Sequence, residues 1–251
     1  MRQSPRDKRV CLWIPERVFV SATSLILNDY FDIEIDRINA PERPLPAGLV
    51  NKQDVLILSI VVTLLGFITA YQISLQALLV VIVVWAVGFL YNWRFKKAGL
   101  IGNLMVSFSV GMTIIYGGIA AGKASEIIVW YFAALVFLID LGEEIAADAM
   151  DIEGDRQAGS RSIALRRGRE NALKISALIF LLVVATSSAP FVFGWLEWIY
   201  LLPFVLMDGV ILFATSKLLD LRIPDRRRYI RWIYLSGLGA LIILISIRML
   251  R

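Results

Sequence analysis

Residues 75–93 read LQALLVVIVVWAVGFLYNW, a continuous run that contains no charged side chain. A helix of about 20 apolar residues spans the hydrocarbon core of a bilayer, so this run predicts a transmembrane helix. The rest of the chain has the same character, because 58% of its 251 residues are hydrophobic. The sequence therefore predicts an integral membrane protein.

Apolar runs of similar length recur along the chain. Besides residues 75–93, they lie at residues 53–71, 99–121, 126–147, 171–190, 196–216 and 229–249. A shorter apolar run at residues 18–27 precedes them. We therefore expect an all-α bundle of transmembrane helices, with seven clear spans and one short one. Residues 18–251 are predicted to form a single transmembrane domain, after an irregular basic segment at residues 1–17.

Basic residues are concentrated in alternate loops. Residues 28–52, 94–97, 143–174 and 217–231 hold 18 of the 26 Lys and Arg residues, whereas the loops on the opposite side contribute only Lys123. The positive-inside rule places the basic loops in the cytoplasm, with the chain in the cell membrane. The net charge of +5 then reflects orientation and attraction to anionic lipid, and neither a nucleic acid nor a protein partner is implied.

The first 17 residues do not fit this topology. If residues 18–27 run toward the cytoplasm, the segment before them lies outside, although it carries five basic residues. A preceding helix would resolve the conflict with the positive-inside rule. We therefore expect that the chain lacks one helix at its start, or that this segment is not a natural continuation of the rest.

Two acidic segments interrupt the apolar chain. They read NDYFDIEID at residues 28–36 and DAMDIEGD at residues 148–155. Each contains an Asp-x-x-x-Asp core, and 119 positions separate Asp32 from Asp151 and likewise Asp36 from Asp155. Carboxylates four residues apart share one face of a helix, so each segment predicts an acidic helical face. Such a face beside apolar surroundings needs a bound cation.

Mg²⁺ is the simplest cation for these segments, because it prefers oxygen ligands and bridges carboxylates to phosphates. The chain has no His and one Cys, which excludes His-liganded metal sites, Ser-His and Cys-His catalysis, and an internal disulfide. The expected ligands of two Mg²⁺ ions are Asn28, Asp32 and Asp36 for one ion, and Asp148, Asp151 and Asp155 for the other. The two segments together predict a metal-diphosphate site.

The pattern from Asn28 to Gly48, followed by D-x-E-G-D-R at residues 151–156, resembles the UbiA superfamily of intramembrane prenyltransferases. Within it, the chain is most similar to the archaeal digeranylgeranylglyceryl phosphate synthases, whose Tyr-x-x-x-x-Lys and Leu-Ile-Gly-Asn segments match Tyr91, Lys96 and residues 100–103. The resemblance implies a bundle of nine helices, about eight of them visible here, around a central cavity open to lipid. It also implies two Mg²⁺ ions, a geranylgeranyl diphosphate donor and the lipid acceptor geranylgeranylglyceryl phosphate.

The chemistry requires that the leaving diphosphate is neutralised and that the allylic cation is shielded from water. Asp32, Asp36, Asp151 and Asp155 are the expected catalytic residues, through the metal ions that they hold. Arg43, Lys96 and Lys97 lie on the same loops and are candidates for phosphate contacts. The other candidates for substrate binding are Asp29, Tyr91, Asn92 and Glu144. The sequence does not identify the base that takes the proton of the acceptor hydroxyl.

Three alternatives remain open from the sequence. The same reaction can use an aromatic ring or a chlorin as the acceptor. The chain can be an inactive, truncated homologue, which would bind prenyl diphosphate without turnover. A carboxylate-based cation transporter would instead distribute its acids along a path near the middle of the membrane, whereas the paired acids of this chain cluster at one face.

Overall fold

The computed structural model describes residues 22–38 and 40–250, and the predicted segment at residues 1–17 lies outside them. Every regular element in this part of the chain is a helix. The first long helices are α1 (residues 22–38), α2 (Lys52–Ile73), α3 (Leu75–Leu90), α4 (Leu100–Ala120) and α5 (Ile127–Met150). They are followed by α6 (Ile152–Ala158), α7 (Ile163–Arg167), α8 (Arg169–Ser187), α9 (Ala189–Val192), α10 (Leu201–Leu218) and α11 (Arg227–Met249). A π-helical turn, Tyr91–Phe95, extends α3, and a 3₁₀ turn, Trp198–Tyr200, precedes α10.

Six helical segments in the described part are long and apolar enough to cross a membrane. They are Lys52–Ile73, Leu75–Phe95, Leu100–Ala120, Arg169–Val192, Trp198–Leu218 and Arg227–Met249, and they match six of the predicted spans. The span predicted at residues 126–147 is the 24-residue helix α5. Four acidic residues in its second half, Asp140, Glu143, Glu144 and Asp148, set α5 apart from the six.

Apolar side chains cover the outer surface of these helices. Leu64, Ile68 and Leu79 are each more than half exposed, although such residues form the core of a water-soluble protein. A helix satisfies its own backbone hydrogen bonds and can therefore present apolar side chains to lipid. The surface composition agrees with the predicted membrane setting.

The described residues fall into two compact units. Unit 1 comprises the described residues up to Lys96 together with Met112–Val129. In unit 1, four aromatic rings connect α1, α2 and α3: Phe31 contacts Phe89 edge-on at 5.7 Å, Phe89 stacks on Trp85 at 5.6 Å, and Trp85 meets Phe67 at 6.0 Å. These contacts fix α1, which carries the first acidic segment, against the end of α3.

Unit 2 comprises Lys97–Gly111 and the described residues from Trp130 onward. Its core is formed by α5, α8, α10 and α11, and the side chains of Ile145, Leu173, Phe180, Ile211 and Ile233 are at most 1% exposed. Ser176 of α8 also donates a hydrogen bond to the carbonyl of Gly142 at 2.6 Å. This packing holds the carboxyl-terminal half of α5, where the second acidic segment begins.

Candidate active site

The first acidic segment lies on α1, as predicted, with Asn28, Asp32 and Asp36 on successive turns of one helix. Lys96 reaches this helical face from the end of α3. Its Nζ donates a hydrogen bond to Asn28 Oδ1 at 2.9 Å and forms an ion pair with Asp32 Oδ2. Two predicted metal ligands and a predicted phosphate ligand therefore meet in unit 1.

The π-helical turn Tyr91–Phe95 determines where Lys96 lies. The backbone amide of Lys96 donates to the carbonyl of Tyr91, five residues earlier, at 2.8 Å. A π-helical turn winds more loosely than an α-helical one, and single turns of this kind occur often at functional sites. Lys96 follows directly after the turn, so this local winding sets the direction from which its side chain approaches α1.

Arg43 makes a second set of contacts on α1. Its Nη1 lies 2.8 Å from Asp36 Oδ2 and 3.4 Å from Asp29 Oδ1. Hydrogen bonding and charge attraction from Asp36 raise the pKa of Arg43 above its usual value. The loop that carries Arg43 starts from the end of α1, since the amide of Ala40 donates to the Asp36 carbonyl at 2.8 Å.

A cavity of about 140 Å³ opens beside Arg43. Asp29, Asp36 and Arg43 supply its polar wall, and Ile26 and Leu58 belong to its apolar wall. A ligand that carries both charge and hydrocarbon fits such a lining better than a purely polar one.

The second acidic segment departs from the prediction of one continuous acidic helix. Asp148 is on α5 and Asp155 is on α6, whereas Asp151 lies between them with φ −120° and ψ 32°. The prediction of a single helical face is wrong here, because the chain breaks the helix at Asp151 and starts α6 there. Asp is favoured at the residue that precedes a helix, and the carbonyl of Asp151 accepts the first hydrogen bond of α6 from Asp155 at 2.9 Å.

Gly154 makes room for the Asp151 carboxylate. A Cβ atom on Gly154 would lie 2.8 Å from Asp151 Oδ1 and 3.0 Å from Asp151 Oδ2. These distances are shorter than ordinary van der Waals contact, so any larger residue would displace the carboxylate. The glycine of the E-G-D motif therefore leaves space for the Asp151 carboxylate in this orientation.

Two arginines support the end of α5. Arg169 Nε donates to the carbonyl of Ala149 at 2.9 Å, and Arg227 Nη2 donates to the carbonyl of Met150 at 3.0 Å. Arg227 also lies 4.0 Å from Asp151 Oδ1. Cations stabilise the carboxyl end of a helix because the last carbonyls lack partners within the helix. From the sequence, the basic loop at residues 217–231 was predicted only to lie in the cytoplasm, and this role of Arg227 was missed.

The structure also locates the remaining predicted substrate residues. Asn92 donates to the carbonyl of Gly88 at 3.0 Å, so its side-chain amide is engaged with its own helix. The backbone carbonyl of Lys97 accepts a hydrogen bond from the Arg161 amide at 3.0 Å. The side chain of Lys97 is exposed. Tyr91 is half-buried in the π-helical turn, and Glu144 is half-buried on α5.

The donor set fits a magnesium ion. Asp155 Oδ2 is buried and has no hydrogen-bond partner within the described residues, so a cation would satisfy it. Across residues 22–38 and 40–250, no three metal-binding side chains converge on one point. Mg²⁺ does not require such a cage, since proteins commonly hold it through one or two carboxylates, with water and substrate phosphates completing the shell.

Comparison with known proteins decides the family. The model of the UbiA prenyltransferase family matches residues 8–249. The chain belongs to the UbiA prenyltransferase family. The prediction of an all-helical membrane protein of this family is thereby confirmed, and the chain is a multi-pass membrane protein with a prenyltransferase's fold.

Individual UbiA relatives agree with this assignment. The digeranylgeranylglyceryl phosphate synthase of Thermococcus kodakarensis is 37% identical over 201 residues, which cover 80% of this chain and 70% of that protein. A solved structure of digeranylgeranylglyceryl phosphate synthase is 27% identical with a TM-score of 0.82, over 93% of this chain and 83% of its own. A UbiA homologue from Archaeoglobus fulgidus, solved with GPP and Mg²⁺, shares the fold at 17% identity and a TM-score of 0.63, over 93% of this chain and 85% of its own.

Proposed function

We propose that this protein transfers a geranylgeranyl group from geranylgeranyl diphosphate to geranylgeranylglyceryl phosphate, with Mg²⁺ as cofactor. One observation carries the proposal: on α1, the oxygen donors Asn28, Asp32 and Asp36 are paired with Lys96 and Arg43. Carboxylates and cations side by side suit a ligand that arrives as a metal-diphosphate complex. Family membership supplies the reaction class, and the names of the relatives support the acceptor.

The residues have distinct roles in this proposal. Asn28, Asp32 and Asp36 would hold one Mg²⁺, and Asp148, Asp151 and Asp155 would hold the other. Mg²⁺ at these carboxylates would supply the positive charge that neutralises a leaving diphosphate. Lys96 and Arg43 donate hydrogen bonds to the phosphate oxygens, and the apolar side chains around them exclude water from the allylic cation. The acceptor hydroxyl oxygen forms the new C–O bond at the allylic carbon as the bond from that carbon to diphosphate breaks, and the reaction releases diphosphate and the hydroxyl proton.

The proposal also covers the further substrate contacts, the extent of the catalytic domain, the location of the protein and the class of acceptor. Asp29, Tyr91, Asn92, Lys97 and Glu144 complete the substrate contacts, and residues 18–251 act as one catalytic domain. The protein resides in the cell membrane with its acidic segments on the cytoplasmic side, because the basic loops flank them. An aromatic or chlorin acceptor is not favoured, since the relatives at 27–37% identity are synthases of a glycerol phosphate lipid.

The direct test is a transfer assay with the full chain in lipid nanodiscs. Radiolabelled geranylgeranyl diphosphate, geranylgeranylglyceryl phosphate and Mg²⁺ are expected to give a doubly prenylated lipid, and EDTA is expected to abolish it. Asp32→Asn and Asp151→Asn should lose product formation, because a neutral amide is a much weaker ligand for Mg²⁺ than a carboxylate.

Matched controls are available in both acidic segments. Glu34 is exposed on α1 and pairs with Arg37, and Glu153 is exposed on α6 and pairs with Arg156. Glu34→Gln and Glu153→Gln remove the same charge within two residues of Asp32 and Asp151, and both should retain activity. Equal loss in these controls would show that general acidity, rather than the named carboxylates, supports the reaction.

A further inference from the structure

Asn103 is a buried polar residue in the first turn of α4. Its exposure is 7%, and its Nδ2 donates a hydrogen bond to Asp148 Oδ2 at 2.9 Å. A buried amide is costly unless its hydrogen-bonding groups are used, so this contact is part of the reason why Asn is tolerated at that position. Both residues belong to unit 2, although 45 positions separate them in the sequence.

The backbone around Asn103 is held from both sides. Its amide donates to the Gly99 carbonyl at 3.1 Å, and its carbonyl accepts the Ser107 hydroxyl at 2.9 Å. Gly99 packs against the backbone of Arg161, since a Cβ atom there would lie 2.1 Å from the Arg161 carbonyl oxygen. These contacts fix the start of α4, and with it the position of the amide that meets Asp148.

Asp148 differs from the acids of α1 because its hydrogen-bond partner is the neutral amide of Asn103. Asp32 and Asp36 pair with Lys96 and Arg43, whereas Asp148 has no Lys or Arg partner within residues 22–38 and 40–250. An amide orients a carboxylate without supplying a positive charge that would compete with a metal ion. Because the amide engages Oδ2, Oδ1 is left for a cation.

We infer that Asn103 is a positioning residue for the second metal site: it holds the Asp148 carboxylate in the orientation that binds Mg²⁺. The inference rests on the proposed function for the identity of the ligand. Groups that orient metal-binding side chains commonly change metal affinity by about 10- to 100-fold when they are removed. Asn103 does not touch the reacting atoms, so it acts through Asp148.

The test measures metal binding by the full chain in nanodiscs. Mn²⁺ with inorganic diphosphate serves as the probe, and bound Mn²⁺ is counted by electron paramagnetic resonance. Asn103→Leu keeps the volume and removes the amide, and it should weaken Mn²⁺ binding about tenfold or more. In the transfer assay the same variant should need a correspondingly higher Mg²⁺ concentration, with a smaller effect on kcat at saturating Mg²⁺.

Ser109→Ala is the matched control. Ser109 lies further along α4, and its hydroxyl donates to the carbonyl of Met105 at 2.9 Å, so its loss removes one side-chain hydrogen bond of the same helix away from Asn103. The control should leave Mn²⁺ affinity unchanged. Equal weakening in both variants would overturn the inference, since it would point to a general displacement of α4.

A double-mutant cycle separates positioning from folding. If Asn103 acts through Asp148, adding Asn103→Leu to Asp148→Asn should weaken Mn²⁺ binding no further. Additive losses would contradict the inference. If Asn103→Leu does not fold, Asn103→Ser replaces it. The expected results are the same: weaker Mn²⁺ binding as a single substitution, and no further weakening when it is added to Asp148→Asn.

The outcome also separates this inference from the proposed function. Weaker Mn²⁺ binding in Asn103→Leu, together with no transfer to geranylgeranylglyceryl phosphate by the unsubstituted chain, would support the positioning role and overturn the acceptor. Normal transfer with unchanged Mn²⁺ binding in Asn103→Leu would overturn the positioning role alone.

Discussion

Lys96 forms an ion pair with Asp32 although 64 positions separate the two residues in the sequence. The same ammonium group donates to Asn28 at 2.9 Å, so one cation contacts two predicted metal ligands. A diphosphate that reaches α1 with its metal ion would offer Lys96 a new anionic partner. This arrangement makes Lys96 the residue whose removal most directly tests the proposed site.

Lys96→Met should lower kcat/KM for geranylgeranyl diphosphate by a factor on the order of 10², because a charged donor to the leaving group is lost. Steady-state transfer kinetics at saturating acceptor would measure it. Arg94→Gln is the control: Arg94 lies in the π-helical turn with an exposed side chain, and removing its charge should have little effect. If both variants behave alike, the effect comes from the surface charge of the loop.

Arg43 should tolerate neither Gln nor Lys. Nη1 of Arg43 contacts Asp36 at 2.8 Å and Asp29 at 3.4 Å, and the planar guanidinium carries further N–H donors for a phosphate, whereas a lysine ammonium is a compact point charge with different geometry. We expect Arg43→Gln to reduce kcat/KM about 100-fold and Arg43→Lys about tenfold. Arg37→Gln removes an exposed arginine that pairs with Glu34, and full activity is expected for it. Full activity in Arg43→Lys would indicate that charge alone is needed.

Gly154→Ala should impair catalysis more than folding. The added methyl group would meet the Asp151 carboxylate at 2.8–3.0 Å, and the carboxylate would have to move. A displacement of about 1 Å at a metal ligand can cost roughly 100-fold in rate, which the transfer assay would show. Gln157→Ala alters the same short helix on an exposed side chain and serves as the control. An active Gly154→Ala enzyme would argue against a metal-binding role for Asp151 in this orientation.

Gly99→Ala and Gly122→Ala form a matched pair for stability. Both glycines have positive φ, at 65° and 71°, so each alanine incurs a similar backbone cost of about 1–2 kcal/mol. Gly122 has open space around it, whereas a Cβ on Gly99 would clash with the Arg161 carbonyl at 2.1 Å. Gly99→Ala should therefore lower the Tm in detergent by clearly more than Gly122→Ala. Equal shifts would mean that the contact at Arg161 is easily relaxed.

The helices were largely predictable from the sequence because a bilayer imposes one strong rule. Six predicted spans match described helices, since about 20 apolar residues in a row have few alternatives to a transmembrane helix. Helix α5 was less predictable: its length fits a span, but its acids Glu143 and Glu144 are half-buried within unit 2. Periodicity indicates a helix there, yet it does not reveal which neighbours cover the acids.

The site was only partly predictable for a related reason. The spacing of Asp32 and Asp36 correctly indicated one helical face, because both lie within α1. The same spacing at Asp151 and Asp155 conceals a helix break, since Asp is common at the residue before a helix and spacing alone does not distinguish that position from one inside a helix. The sequence indicated Asn103 only as the last residue of the Leu-Ile-Gly-Asn segment, without a predicted role. Its partner Asp148 is 45 positions away, and packing between helices brings them together.

The π-helical turn Tyr91–Phe95 places a constraint on the length of the chain as well as on its composition. Each residue of an α-helix advances by about 100° around the axis. If these residues wound as an α-helix without losing one, the Lys96 amide would bond four residues back instead of five, and its side chain would turn about 100° away from Asp32. A relative with one residue fewer at these positions is therefore expected to wind as a plain α-helix and to keep its cation beside the first acidic segment.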